Sequence, residues 1–150
     1  MKLAIPYGIS LEIDGKVKTM PVVYAKIQSA AGTKNVPGIF LIDSGAAITL
    51  LPATDAEALG LKLEAGEKIL ISGITNRNLL GYRHIISLII NGFSLKSIPV
   101  VFSKQNDTPR VLGREGVFPR FGILFDEAKK RIILLESKSE RKFIDSAFIF

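Results

Sequence analysis

Short apolar runs rich in β-branched and aromatic residues alternate with polar positions along most of the chain, and Gly, Asn, Asp and Pro punctuate them. That period-two pattern predicts a mostly β domain. Strands are expected at Ser10 to Ile13, Lys16 to Met20, Val22 to Gln28, Gly38 to Ile42, Ile48 to Leu51, Lys68 to Ser72, Tyr82 to Ile90, Phe93 to Phe102, Gly122 to Asp126 and Arg131 to Leu135. Asp14-Gly15 and Asn91-Gly92 tolerate positive φ, so each predicts a two-residue hairpin. Around the second, Ile86, Leu88 and Ile90 share a face that Phe93 and Leu95 continue after the turn. One short helix is marked by Thr54 and Glu57, at capping-box spacing, with Gly60 to end it in the left-handed conformation. A second helical turn is expected after Gly113.

The 150 residues suit one domain with its own core, here assigned to residues 1–135. Residues 136–150 divide into a charged, linker-like stretch from Glu136 to Lys142 and an apolar end from Phe143 to Phe150. So apolar an end either packs on its own domain or covers a partner chain. No apolar run approaches the roughly 20 residues of a membrane-spanning helix, and Met1-Lys2-Leu3-Ala4-Ile5-Pro6 lacks the features of a signal peptide. The expectation is a soluble, cytoplasmic protein without a membrane partner. With no cysteine there is no disulfide, thiol nucleophile or thiolate metal site. The formal charge of +6 favours anionic partners at long range. Its densest groups, Lys129-Lys130-Arg131 and Arg141-Lys142, lie near Asp126, Glu127 and Glu140 and carry no interleaved aromatic platform. They read as a solvated basic face, not a nucleic-acid site.

The chemistry concentrates at Asp43-Ser44-Gly45-Ala46, set between the apolar runs Ile39-Phe40-Leu41-Ile42 and Ile48-Thr49-Leu50-Leu51-Pro52. A carboxylate at the end of a buried strand is costly unless it is paired or used. A bare Asp-Ser-Gly describes many turns, but flanked in this way it resembles the active-site loop of retropepsin-like aspartic peptidases. Three further stretches follow in the order of that family. Ile71-Ser72-Gly73-Ile74 to Leu80-Gly81-Tyr82 resembles the flap hairpin that closes over a peptide. Val111-Leu112-Gly113-Arg114 resembles the segment whose glycine passes close to the aspartate loop. Phe118 to Asp126, leading to Arg131-Ile132-Ile133-Leu134, resembles the hairpin that follows in bacterial and archaeal relatives.

The resemblance implies a closed β-barrel of the acid-protease type with one or two short helices. It implies Asp43 as the catalytic residue and Ser44, Gly45 and Ala46 as the active-site loop. Gly73, Ile74, Thr75 and Gly81 would belong to the flap and substrate-binding segment, while Gly113 and Arg114 would be structural neighbours of the site. With one such aspartate per chain, the water-activating pair would form across a homodimer acting on a peptide or protein substrate, without metal or other cofactor. One departure stands out: many retroviral members carry the partner acid of the arginine just after the aspartate motif, where this chain has Ala47. Asp55 or Glu115 could replace it, or Arg114 could be a plain surface arginine.

Other chemistries find less support. The single histidine, His84, lies in a strand pattern as an edge residue, and no serine occupies a nucleophile elbow. No His or carboxylate cluster has metal-ligand spacing, and no phosphate-binding loop is present. The rival from another class is a catalytically silent dimer of the same fold that binds peptides or another macromolecule.

Overall fold

In the computed structural model, which describes residues 2–72, 78–136 and 138–147, the long alternating runs form one large sheet. Its strands are β4 (Val22–Gln28), β5 (Asn35–Ile42), β6 (Leu50–Leu51), β7 (Glu67–Ser72), β8 (Asn78–Ile90), β9 (Phe93–Ser103) and β10 (Val111–Leu112). Hydrogen-bonded neighbours run β4-β5-β10-β6-β9-β8-β7, and β4 also pairs with β8 through Ala25↔Ile90 to Gln28↔Ser87. The second pairing closes the sheet on itself, leaving β7 as a flanking strand on the edge of β8 that β4 also uses.

Inward positions explain the closure. Val23, Ala25 and Ile27 of β4 alternate with exposed Tyr24 and Lys26. Phe40 and Ile42 of β5, Ile86, Leu88 and Ile90 of β8, and Ile98, Val100 and Phe102 of β9 are buried with them. Each such side chain contributes on the order of 1.5–3 kcal/mol when fully buried. A helix, α1 (Ala53–Ala58), sets Ala56 into the same core.

A second sheet has the order β1-β12-β11, from β1 (Lys2–Pro6), β12 (Arg131–Leu135) and β11 (Gly122–Asp126). Both end segments of the chain therefore pair within one chain, Lys2 opposite Leu135 and Pro6 opposite Arg131. A third pair, β2 (Gly8–Leu11) and β3 (Val17–Met20), stands apart and exposes Ile9, Leu11 and Val17.

Several expectations need correction. The Asn91-Gly92 turn forms as expected, with φ of 49° and 82° joining Ile90↔Phe93. Asp14-Gly15 does not make a two-residue hairpin. Glu12 N–H donates to the Lys16 carbonyl at 2.9 Å and Gly15 N–H to Glu12 at 2.9 Å, so Ile13, Asp14 and Gly15 form a three-residue loop with Gly15 left-handed. The capping box is absent too: Pro52 is the N-cap, Thr54 lies inside the helix, and Ala53 N–H donates to the Gln105 carbonyl at 3.2 Å. A loop carbonyl thus satisfies one of the free amides at the helix start. Gly60 ends the helix as expected, at φ 72°. The turn after Gly113 appears at Phe118–Arg120 as a 3-10 helix.

The tail is not an open linker. One helix, α2 (Lys138–Ala147), runs through the charged stretch into the apolar one and packs Ile144 and Arg141 over Gly122. Among the described residues, no helix is long and apolar enough to cross a membrane.

Ile132, at 0 % exposure in the middle strand of the terminal sheet, tests whether that sheet shares the core. Ile132→Ala should lower unfolding free energy by about 2–5 kcal/mol in urea titrations followed by circular dichroism. A loss near zero would mean that the terminal sheet unfolds independently.

Candidate active site

Two strands that are not neighbours carry the Asp43 loop. β5 ends at Ile42 and β6 starts at Leu50, and between them lies β10, parallel to β5 and antiparallel to β6. Residues 43–49 must therefore arch over the end of β10, where the chain continues as Gly113. The arch is tied down by backbone bonds: Asp43 N–H to the Leu112 carbonyl at 3.1 Å, Arg114 N–H to Ala46 at 2.9 Å and Glu115 N–H to Ala47 at 2.9 Å. A Cβ on Gly113 would lie 2.9 Å from the Ala46 carbonyl oxygen and closer still to that of Ile48. Only glycine lets β10 pass this near to the loop.

Thr49 completes the support, and sequence reasoning overlooked it. It is 1 % exposed, accepts a hydrogen bond from Gly113 N–H at 3.1 Å and donates to the Glu115 carbonyl at 3.3 Å. Its signal was a hydroxyl inside the apolar run Ile48 to Leu51. Buried polar atoms need such partners, and here one hydroxyl satisfies backbone groups on both sides of Arg114.

At the top of the arch Ser44 and Gly45 are exposed and Asp43 is half-buried. Asp43 Oδ1 accepts the Gly45 N–H at 2.8 Å, which fixes the carboxylate against its own turn. Its Oδ2 accepts no hydrogen bond among the described residues. A single carboxylate can take a proton from water or give one away, but cannot hold both roles in one step. Nor does this chain offer a ready second one. Asp55 is bound by Arg110 through two 2.7 Å bonds, and the carboxylate of Glu115 is bound by Arg83.

Those pairings also answer the question left by Ala47. Neither Asp55 nor Glu115 serves Arg114, whose side chain is exposed and has no ion pair among the described residues. Asp55 pairs instead with Arg110, which precedes β10 at the end away from Asp43, with Asp55 at 3 % and Arg110 at 31 % side-chain exposure. The Asp55 hydrogen bond raises the pKa of Arg110 above its ordinary value, against the opposing effect of burial. Arg110 also stands 5.8 Å from the Phe40 ring centroid.

Of the expected flap residues, Gly73, Ile74 and Thr75 lie outside the described residues. Gly81 sits inside β8, between Ile69 of β7 and Ser103 of β9, where a Cβ would fall 2.5 Å from Val101 Cγ1. Its small size is a packing requirement of a three-stranded stretch. His84 lies on β8 beyond the end of its β7 pairing, with Nε2 2.8 Å from the Leu63 carbonyl and its ring edge-on to Phe102. Among the described residues no group of three or more His, Asp or Glu side chains could hold a metal ion.

Comparison with known proteins agrees with this geometry. A family model described as Aspartyl protease matches residues 23–115, more than half of the chain and the whole of the arch with its support. No curated protein matches. Among solved structures, a retropepsin-like aspartic protease from Rickettsia conorii superimposes with a TM-score of 0.62 at 22% identity, over 89% of both chains. The fold is therefore retropepsin-like. EIAV protease, complexed with the inhibitor HBY-793, shows a weaker likeness, with a TM-score of 0.47 and 19% identity over 63% of this chain and 82% of that one.

Thr49→Val keeps the shape but leaves the Gly113 N–H and the Glu115 carbonyl without their buried partner. It should cost about 1–3 kcal/mol in chemical denaturation. An unchanged midpoint would show that the hydroxyl does not support the arch. Asp55→Ala strands Arg110 and should cost about 2 kcal/mol, less than a fully buried pair because a third of the Arg110 side chain is in water.

Proposed function

The chain belongs to the aspartyl protease family, and from that membership we propose that it is an aspartic endopeptidase whose water-activating pair is Asp43 from each of two identical chains. The observation that carries the reading is the presentation of Asp43. It sits on a braced, exposed arch that holds one carboxylate per chain, while Asp55 and Glu115 are engaged elsewhere. Hydrolysis without a metal or covalent nucleophile needs a base and an acid at once, and a two-fold axis through the arch supplies both from one residue type.

In this reading the ionised Asp43 takes a proton from water while the water oxygen bonds to the scissile carbonyl carbon. The protonated Asp43 of the other chain gives its proton to the carbonyl oxygen. Collapse of the tetrahedral adduct re-forms the carbonyl, breaks the C–N bond and delivers a proton to the departing nitrogen. Repulsion between two close carboxylates raises one apparent pKa of the pair, a known property of aspartic protease dyads, so the singly protonated state persists into mildly acidic solution. Ser44 hydroxyls would link the two arches, and the Gly45 backbone would border the substrate. Gly73, Ile74 and Thr75, with the β7–β8 arms, would cover an extended peptide by strand-like hydrogen bonds.

One observation favours the second reading, a silent peptide-binding dimer: Arg114 is exposed and, among the described residues, lacks the ion pair expected of its family position. The two readings separate in one experiment. Wild-type and Asp43→Asn protein are incubated with a diverse peptide library from about pH 3 to about pH 8, with products identified by mass spectrometry and oligomeric state by sedimentation. Cleavage present in the wild type and lost in a still dimeric Asp43→Asn is the expected result. Equal turnover by the variant would refute the dyad, and an inactive but well-folded wild-type dimer would leave the silent module.

A further inference from the structure

A cleft of about 520 Å³ has no residue of the Asp43 arch in its lining. It is bounded by the start of β9, the 3-10 turn at Phe118–Arg120 and the beginning of α2. Along β9 it begins at Phe93, eight residues before Val101, the strand's contact with β6 beside the arch. Those eight residues span about 26 Å of extended chain.

Its lining is strongly one-signed. Lys96, Arg120, Lys138 and Arg141 converge on it from three separate parts of the sequence, against the single carboxylate of Glu136. None of the four cations has an ion pair among the described residues. Arg120 and Arg141 spend their assigned hydrogen bonds on backbone carbonyls, those of Lys96 at 3.4 Å and Pro119 at 3.1 Å. Like charges held together without counter-charges repel one another, a cost that a bound anion removes.

Arg141 is the most prepared of the four. Its stem packs over Gly122, one terminal nitrogen is tethered to Pro119, and its Nε is buried with no hydrogen-bond partner among the described residues. This guanidinium has already lost part of its water and its rotational freedom, so less remains to be lost when an anion docks beside it. The arginine fork suits phosphate oxygens. Phe93 and Pro119 add an apolar ledge to the same cleft.

We propose that this cleft is a binding site for an oligophosphate-bearing small molecule. Charge decides the class: one carboxylate would answer only one of four cations, whereas a di- or triphosphate carries a matching number of charges in one short chain. Neither the family fold nor Asp43 enters the argument, so the site stands or falls independently of peptidase activity.

Calorimetric titration of the full chain with sodium tripolyphosphate, ATP and adenosine tests it, at about 50 and about 300 mM sodium chloride. The expected result is one site per chain for tripolyphosphate and ATP, weaker at the higher salt, with no binding of adenosine alone. Lys96→Ala combined with Lys138→Ala should weaken both at least about tenfold. The side chains of these lysines make no hydrogen bond or ion pair among the described residues, and an unchanged circular dichroism spectrum confirms that the variant is folded. Tighter binding of ATP than of tripolyphosphate would identify a nucleotide as the source, and equal binding a free oligophosphate. No heat with either, or binding indifferent to the double substitution, would overturn the proposal. So would binding of an oligothymidylate that strengthens as its length outgrows the cleft, because that marks an open nucleic-acid surface.

Discussion

The insertion of β10 between β5 and β6 is the constraint on which the rest of this protein depends. Val111 and Leu112 form two residues of strand, yet they separate the strand that ends at Asp43 from the strand that follows it. The intervening loop has to cross over Gly113, and the lack of a side chain there sets how low it can cross. The height and orientation of Asp43 follow from this packing, with the Asp43 amide on Leu112 and the Thr49 hydroxyl on Gly113 holding the layers in register. In the proposed reaction, a carboxylate mounted this way would lose little freedom, which is the condition for efficient proton transfer from a fixed group.

Around that crossing, the molecule separates two kinds of electrostatic solution. Some charges are resolved inside the chain: Asp55 with Arg110 and Glu115 with Arg83. Arg114 and the cations of the basic cleft remain without carboxylate partners among the described residues. Their unmatched charge contributes to the positive balance of the whole chain. Nothing in the packing requires it, because all of these side chains reach solvent or a cleft.

How much of this could be read from the sequence depended on the range of the interactions. β4, β11 and β12 have the limits that their alternation predicts, since pattern and pairing coincide there. β1 escaped notice, and β10 was legible only through the resemblance of Val111-Leu112-Gly113-Arg114 to a family segment. Two residues of β10 show no periodicity, and Lys2 to Pro6 becomes a strand only because β12, more than a hundred residues later, lies beside it. The helix start was misread because the helix begins two residues earlier, after Pro52, with no side-chain cap and with the Ala53 amide on the distant Gln105 carbonyl. At the site, the aspartate and its glycines were legible as a local motif, whereas the pairings of Asp55, Glu115 and Thr49 were not. Each spans 32 to 66 residues of sequence, and spacing carries no record of such contacts.

The same long-range closure gives the protein a timetable. The large circuit needs β4 to find β8, the arch needs residues 111–113 beneath it, and the terminal sheet joins the first strand to the last. Loop closure over such separations is the slow part of assembling a β structure. During synthesis the segment bearing Asp43 leaves the ribosome long before the strand that supports it. An incomplete chain therefore holds its carboxylate on an unbraced loop, and an organised site exists only once residues 111–115 have joined the fold.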